Sequence, residues 1–301
     1  MKTSNRNEPA MTFLVGAGRS GTTLLYKVLC LHSDIAYLNN YHNRLPWLRA
    51  DLLSKLALRE PHSKMAAWFN DAGNAYFVNR PWLKKLIPTP VEGEAFLASC
   101  GLPLFPDENE RLSKDAIDCL HHKFSLLQQG TNAKTVVCKR TANNRRIPLL
   151  ESAFPTARYI HLIRDGRDVT HSLSKVEWWD NLTLWWDGRT TAQLEAAGED
   201  RLRICARNWV REVEKLRCSL AAVAQDRRLE IRYEAFLAQP MTELGKIFDF
   251  LNLPFDQKYR DAVTSLKLKT RPKAWSNVWS AEQLSGVLRE TDPLLSQLGY
   301  R

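Results

Sequence analysis

Apolar residues run unbroken through Met11–Val15 and give way to a glycine-bearing polar stretch, after which Leu24, Leu25, Val28 and Leu29 recur at the spacing of one helical face. This pattern predicts a strand, a glycine loop and a helix. The figure returns twice. Thr135–Cys138 is a β-branched run followed by the polar KRTANNRR and a helix predicted over Ile147–Phe154, and Ala157–Ile163 is a nearly continuous apolar strand followed by the turn RDGRD and the helix VTHSLSK. Strands that are apolar on both faces and alternate with helices predict an α/β fold: a P-loop-like parallel sheet flanked by helices on both faces, in a single domain. Ligands of such sheets gather at the carboxyl ends of the strands, where Gly16–Thr23 and Arg164–Asp168 both fall.

Further along, helical spacing predicts helices over Leu45–Leu58, Ala116–Gln128, Leu202–Ala224 and Met241–Leu251, with a short strand at Leu229–Tyr233 and a closing amphipathic helix after Trp279. The proline-rich segment Ile87–Pro106 reads as irregular, and the surrounding region is expected to supply part of an acceptor site. Trp178, Trp179, Trp185 and Trp186 either pack a flap onto the core or line a pocket for a flat or sugar-like molecule. No internal repeat or low-complexity tract divides the chain. The expected organisation is a flexible polar N-terminus over residues 1–10 and one domain over 11–301.

Composition narrows the partners. With 44% hydrophobic and 25% charged residues, the 301-residue chain is an ordinary globular sequence. Its formal charge of +10 points to an anionic partner: a nucleic acid, a membrane surface, an acidic glycan or a multiply charged nucleotide. Basic residues are dispersed in pairs such as Lys84-Lys85, Arg145-Arg146 and Arg227-Arg228, without the long run of a nucleic-acid arm, so no nucleic-acid partner is expected. Cys30, Cys100, Cys119, Cys138, Cys205 and Cys218 show neither paired nor metal-ligand spacing; they read as buried small hydrophobes in a reducing compartment, and no metal is expected. Met1–Pro9 lacks the apolar core of a signal peptide, and no stretch of 18 apolar residues occurs, from which a cytoplasmic protein without a membrane partner is expected.

Gly16-Ala17-Gly18-Arg19-Ser20-Gly21-Thr22-Thr23 has the glycine spacing of a P-loop, but Thr22 stands where the nucleotide hydrolases require lysine. Backbone N–H groups of Gly18, Ser20 and Gly21 converging beside a helix N-terminus make an anion site, and the missing lysine argues against triphosphate and magnesium chemistry. Arg19 keeps a cation in the loop, placed to meet charge developing on a leaving group, and Thr22 and Thr23 offer hydroxyls. The plainer alternative is a tight turn capped by Thr22 or Ser20. In the second segment, Arg164 ends a strand and Ser172 lies eight residues on, so a guanidinium and a hydroxyl converge on one phosphate from two elements.

GAGRSGTTLL resembles the 5′-phosphosulfate loop of the sulfotransferases that use 3′-phosphoadenosine 5′-phosphosulfate (PAPS), especially the branch of bacterial and tyrosylprotein sulfotransferases, with Arg19 in the place of the loop's cation. Leu24 stands where many cytosolic members carry an adenine-stacking tryptophan. Arg164 and Ser172, with Asp165, Arg167 and Asp168 between them, are similar to the 3′-phosphate motif of the same family, and two such motifs in the right order are far more specific than either alone. The stretch from Ile231 to Phe255 resembles the family's strand and helix beginning with a Tyr-Glu pair, which would bring Tyr233 near adenine; a core aromatic is the alternative. Arg271 to Trp275 resembles a late basic loop that closes over the nucleotide, making Arg271 and Lys273 candidate contacts, and the terminal Leu298–Tyr300 extends the likeness.

The resemblance implies direct in-line transfer of a sulfuryl group from PAPS to a hydroxyl or amine of a small-molecule, glycan or peptide acceptor, releasing 3′-phosphoadenosine 5′-phosphate. Lys139, after the Val136-Val137 strand, matches a family lysine near the transferred group; a surface lysine at a strand end is the alternative. For the base, the tyrosylprotein branch has a glutamate after the first helix, where this chain has Asn39 and Asn40. His42 is the nearest titratable candidate, with Asp34 and Glu60 also open. A P-loop kinase or hydrolase and a non-catalytic nucleotide binder are the competing readings.

Overall fold

The computed structural model describes residues 8–70, 86–107, 109–266, 268 and 273–300. Five strands, β1 (Met11–Val15), β2 (Ile35–Tyr37), β3 (Thr135–Lys139), β4 (Arg158–Ile163) and β5 (Arg228–Arg232), pair in parallel in the order β2-β3-β1-β4-β5. β1 is central, with Phe13 opposite Cys138 on one side and Tyr159 on the other. The chain runs from β1 to the β2–β3 side and then crosses to β4, so the connections diverge at the carboxyl end of β1 and open a crevice there. β2 escapes the hydrophobic pattern because three residues are too few to display a period.

Along the chain, helices α1 (Thr22–Leu29), α2 (Asn40–Arg44), α3 (Ala50–Lys55), α4 (Pro61–Trp68), α5 (Glu94–Ala98) and α6 (Lys114–Thr131) come, with β2, between β1 and β3. α7 (Asn143–Ala153) follows β3, and α8 (Gly166–Leu173), α9 (Thr191–Ala196) and α10 (Arg201–Ala221) follow β4. After β5 come α11 (Tyr233–Ala238), α12 (Pro240–Leu251), α13 (Gln257–Ser265) and α14 (Ala281–Gln297).

Alternation along the strands sends Met11, Phe13, Val15, Val136, Cys138 and Tyr159 to one face, where α6, α7 and α10 cover them with Phe124, Leu127, Ile147, Leu150 and Leu216. Leu14, Val137, Ile160 and Leu162 face the other side, under α1, α12 and α13 through Leu25, Val28, Ile247, Phe248 and Tyr259. The sheet is therefore covered on both faces, as its unbroken apolar strands require.

Three local outcomes depart from the hydrophobic pattern. The helix expected over Leu45–Leu58 is confined to α3, and α2 ends just ahead of it at Arg44; proline disfavours helical backbone in the residue before it, and Leu45, which precedes Pro46, leaves the helix at φ −127°. The proline-rich segment holds α5, whose cap Gly93 adopts φ 62° against Leu38. α7 begins at Asn143, inside the polar stretch and ahead of the expected Ile147, which puts Asn143, Asn144, Arg145 and Arg146 in its first turn at the carboxyl end of β3.

The reading of all six cysteines as buried thiols is corrected. Cys100 and Cys119 form a disulfide that ties the end of α5 to α6, Cys218 is exposed, and Cys30, Cys138 and Cys205 are buried and free. The docking of α5 on α6 brings the two sulfurs together, which a separation of 19 residues does not announce. With one bond formed, cysteine usage no longer argues for a reducing compartment. Among the described residues no helix is long and apolar enough to cross a membrane.

Candidate active site

The loop leaving β1 is fixed by contacts only a glycine permits. A Cβ on Gly16 would stand 2.6 Å from the carbonyl oxygen of Leu162. The Gly16 N–H donates to Asn144 Oδ1 (3.1 Å), and Asn144 Nδ2 donates to the Gly16 carbonyl (3.0 Å) and to Glu212 Oε2 (2.8 Å). The first turn of α7 and the long helix α10 thus grip the start of the loop. Arg19 (φ 68°) and Gly21 (φ 90°) both take left-handed backbone, which turns the chain sharply into α1. The N–H groups of the first helical turn face out of its positive end, the direction from which an anion is bound.

Two features of this loop suit a phosphate or sulfate ligand. A Cβ on Gly18 would meet nothing within 4 Å, so the loop is open on that side. Ser20 is buried, and its hydroxyl finds no partner among the described residues.

The second loop leaves β4 beside the first. Asp165 caps α8 by accepting from the Arg167 N–H (2.9 Å), pairs with the Arg167 guanidinium (2.6 Å) and donates its own N–H to Glu234 Oε1 (2.9 Å). The far side of Glu234 accepts from the Tyr300 hydroxyl (2.9 Å), and Arg167 donates to the Tyr300 carbonyl (3.2 Å), so the chain's last residues brace this loop. Arg167 also lies over the Trp275 ring at 5.1 Å, which docks the late aromatic segment on the same loop. Lys273, two residues before Trp275, is exposed, and Arg271 lies outside the described residues.

The two loops touch. Arg164 Nη1 donates to the Arg19 carbonyl (3.0 Å), and Arg19 Nε donates to Ser172 Oγ (3.0 Å), across separations of 145 and 153 residues. Tyr233 is the fourth member: its ring occupies the space a Cβ on Gly21 would need, 2.3 Å away, and the Arg164 guanidinium lies over the ring at 4.7 Å. Arg164 Nε has no partner among the described residues. Gly18, Arg19, Ser20, Gly21, Thr22 and Thr23 on one loop thus lie with Arg164 and Ser172 on the other and Tyr233 between them.

A third group stands at the end of β3. Lys139, 4% exposed, donates to Thr23 Oγ1 (3.2 Å) and to the carboxylate of Glu92. Arg140 donates to the same carboxylate (2.5 Å) and to Glu94 (2.8 Å), and Glu94 accepts from Arg146 (2.6 Å), which is fully buried. Burial pushes the Glu92 carboxyl upward, but Lys139 and Arg140 outweigh it and hold it below the usual range. Arg145 pairs with Glu212 (2.7 Å) and lies over the rings of Phe105 (5.4 Å) and Trp185 (5.7 Å), while Trp185 Nε1 donates to Glu212 (2.7 Å). Trp179 and Trp186 pack with Leu184, Leu194 and Ile204, and Trp178 is exposed, so the four tryptophans divide between packing and surface.

His42 is not placed with these groups. It is fully buried, its Nδ1 accepts from the Asn39 N–H (3.1 Å) and its Nε2 donates to the Ala50 carbonyl (3.1 Å), completing a capping box at the start of α2. Burial pushes its pKa down to about 4. With both ring nitrogens engaged inside the protein, His42 is a structural cap and the geometry does not support it as a base. Asp34 precedes β2 at the amino end of the sheet, opposite Lys139, and pairs with Lys134 (2.9 Å). Glu60 is exposed at the start of α4.

Sequence reasoning missed Asn144, Glu212, Glu92 and Glu94. The available signals were slight: an asparagine pair in a polar stretch, and two glutamates flanking Gly93.

Residues 12–257 match the profile of the sulfotransferase family, a span that holds both loops, Glu92, Lys139 and Tyr233. Protein-tyrosine sulfotransferase A of Caenorhabditis elegans is 24% identical over 135 residues, covering 44% of this chain and 31% of the relative. A putative protein-tyrosine sulfotransferase of the same organism is 25% identical over 178 residues, covering 51% of this chain and 61% of the relative. The chain thus spans about a third and about three fifths of the lengths of these two relatives. The solved sulfotransferase domain from the curacin biosynthetic pathway aligns with 97% of this chain and 98% of its own at a TM-score of 0.51 and 19% identity. A sulfotransferase of Mycobacterium avium, STF9, aligns with 96% and 76% at a TM-score of 0.58 and 15% identity. At these identities the two structures share the fold, and it is the profile, matched across most of the length and enclosing both joined loops, that establishes this chain as a member of the sulfotransferase family.

Proposed function

We propose that this chain transfers a sulfuryl group from PAPS to a hydroxyl or amine of a small-molecule, glycan or peptide acceptor by direct in-line displacement, releasing 3′-phosphoadenosine 5′-phosphate. The observation that carries this reading is the junction of the two loops: Arg164 bonded to Arg19, Arg19 bonded to Ser172, and Tyr233 held between Gly21 and Arg164. A nucleotide with charged groups at both its 5′ and 3′ ends suits two cation-bearing loops that meet beside an aromatic ring, whereas a triphosphate would call for the lysine that Thr22 replaces. The Ser20 hydroxyl and the Arg164 Nε, both without a partner among the described residues, and the open space at Gly18 fit such a ligand.

In this reading the backbone of Gly18–Gly21 with the hydroxyls of Ser20, Thr22 and Thr23 holds the 5′-phosphosulfate, and Arg164 with Ser172 holds the 3′-phosphate. Tyr233 flanks the adenosine, and Arg271 and Lys273 are its further candidate contacts on the strength of the family resemblance. PAPS supplies an activated sulfuryl group on a phosphate leaving group. Arg19 stabilises the charge that grows on the bridging oxygen as the S–O bond breaks, and Lys139 binds the equatorial sulfuryl oxygens. Positioning provides much of the rate, as in phosphoryl transfer.

Titration calorimetry with 3′-phosphoadenosine 5′-phosphate and, separately, with ATP and magnesium tests this. The expected result is tight binding of the bisphosphate and weak binding of ATP; the reverse order rejects the donor assignment in favour of a P-loop kinase or hydrolase.

A further inference from the structure

The acceptor must lose a proton as its oxygen or nitrogen attacks sulfur, and none of His42, Asn39 and Asn40 meets that need: the first has both nitrogens occupied and the others do not titrate. The asparagines do something else. Asn40 exchanges hydrogen bonds with Thr89 (3.2 and 3.0 Å), Asn39 bridges to Pro90, and the Val91 N–H donates to the Leu38 carbonyl (2.9 Å). Residues 89–91 are thereby laid alongside the segment leaving β2, at the carboxyl end of the sheet, and the next residue is Glu92. Its carboxylate meets Lys139, whose ammonium also bonds Thr23 on the phosphate loop.

Resting on the PAPS reading above, we propose that Glu92 is the general base that takes the acceptor's proton. The acceptor O–H bond breaks, its proton passes to a Glu92 carboxylate oxygen, and the oxygen lone pair forms the new O–S bond. The bond from sulfur to the 5′-phosphate oxygen breaks at the same time and its electron pair stays on that phosphate.

Geometry and access support the role. The Glu92 side chain is 32% exposed, so an acceptor reaches it, and it is one ammonium group away from the loop that would hold the sulfuryl donor. The neighbouring carboxylate, Glu94, is instead bound by the fully buried Arg146 and by Arg140. Lys139 gives Glu92 a means of becoming more basic at the right moment. When Lys139 turns to the sulfuryl oxygens, Glu92 keeps Arg140 but loses one of its two cations, a change that raises its affinity for a proton.

The test is E92Q assayed with PAPS and two acceptors, phenol and 4-nitrophenol, the latter above its own pKa so that it arrives already ionised. Removal of a base lowers kcat/KM for phenol by about 10²- to 10⁴-fold, but costs the 4-nitrophenolate reaction less than about 10-fold, because no proton needs to be taken. Affinity for 3′-phosphoadenosine 5′-phosphate stays within about twofold of wild type, since the altered group is not in the donor site. Equal losses for both phenols, or no loss for either, overturn the proposal. So does a wild-type protein that binds the bisphosphate yet sulfates neither phenol and hydrolyses no PAPS.

If E92Q fails to bind the bisphosphate, E92D decides. A partial rate that falls as acid protonates its carboxyl supports the base, and a wild-type rate overturns it. Failure of wild-type protein to bind the bisphosphate sinks the donor reading itself, a result distinct from every outcome above.

Discussion

The two sides of the crevice are built on different principles. On the donor side, Gly16–Thr23 and Arg164–Ser172 are two contiguous segments, each leaving the end of a strand, and they lock together through backbone and side-chain hydrogen bonds. On the other side, Glu92, Glu94, Lys139, Arg140 and Arg146 alternate in sign along a chain of ion pairs drawn from two segments about 50 residues apart. Among the described residues, the first side leaves the buried Ser20 hydroxyl and the Arg164 Nε without a partner. The ion-pair side satisfies its own charges.

That contrast predicts opposite failures. Glu94→Ala strips the fully buried Arg146 of its carboxylate, leaving it the Pro103 carbonyl and Asn143, and breaking a buried pair by removing one partner costs about 3 to 5 kcal/mol of stability. Denaturant unfolding should show that loss, while folded Glu94→Ala protein binds 3′-phosphoadenosine 5′-phosphate normally. On the donor side Arg19→Asn reverses the pattern. Asparagine tolerates the left-handed backbone at this exposed position, so stability moves by less than about 1 kcal/mol. Sulfuryl transfer falls by about 10²- to 10³-fold, the cost of removing one charge-stabilising donor. A large stability loss for Arg19→Asn, or a turnover loss without one for Glu94→Ala, would dissolve the distinction between the two sides.

The same contrast explains what was legible in the chain. Turn geometry demands glycine at Gly16 and Gly21 in a fixed order, and a strand end demands an apolar run before it, so the donor loops announce themselves in contiguous residues. The fold class followed from the same apolar strands. An ion pair imposes no spacing: nothing in Val91–Glu94 says that Lys139 will arrive beside it, nor that Asn144 will grip Gly16 from a helix that begins ahead of its apolar pattern. His42 is the candidate base nearest Asn39 and Asn40 along the chain, but its ring is spent on the cap of α2. Its place three residues after Asn39 is the signature of a cap. The disulfide was hidden for a related reason, since it depends on how α5 meets α6.

His42, buried in the cap of α2 and apart from both sides, gives the fold a dependence on pH. Its folded-state pKa is pushed to about 4 from an ordinary 6.5, so as the pH falls between these values the unfolded chain takes up the proton and the folded chain does not. Acid therefore favours unfolding across that window, by about 1.4 kcal/mol for each unit of depression and about 3 kcal/mol in all. Stability measured by denaturant between pH 7 and 4 should decline, and the decline should flatten in His42→Gln, whose amide retains a hydrogen-bonding side chain without the titration. An unchanged slope in that variant would remove His42 as its source.

The smallest effect is expected at Arg164, and it tests the donor side most directly. In the structure Arg164 is already engaged, donating to the Arg19 carbonyl and stacking on Tyr233, so two outcomes compete when it is removed. If these contacts are its purpose, Arg164→Ala loosens the junction of the two loops and lowers stability, with donor affinity following only through that loss. If its purpose is a phosphate, stability changes little and affinity for 3′-phosphoadenosine 5′-phosphate falls by about 1.5 to 3 kcal/mol, roughly 10- to 150-fold, the range for a hydrogen bond to a charged group. The second outcome is expected, because Arg164 Nε is left without a partner among the described residues and because the Arg19 carbonyl, beside exposed Arg19, has water to replace the guanidinium. Comparing the bisphosphate with adenosine 5′-phosphate, which lacks the 3′ group, completes the test: the Arg164→Ala penalty should vanish for the monophosphate, and a penalty equal for both nucleotides would return Arg164 to a purely structural role.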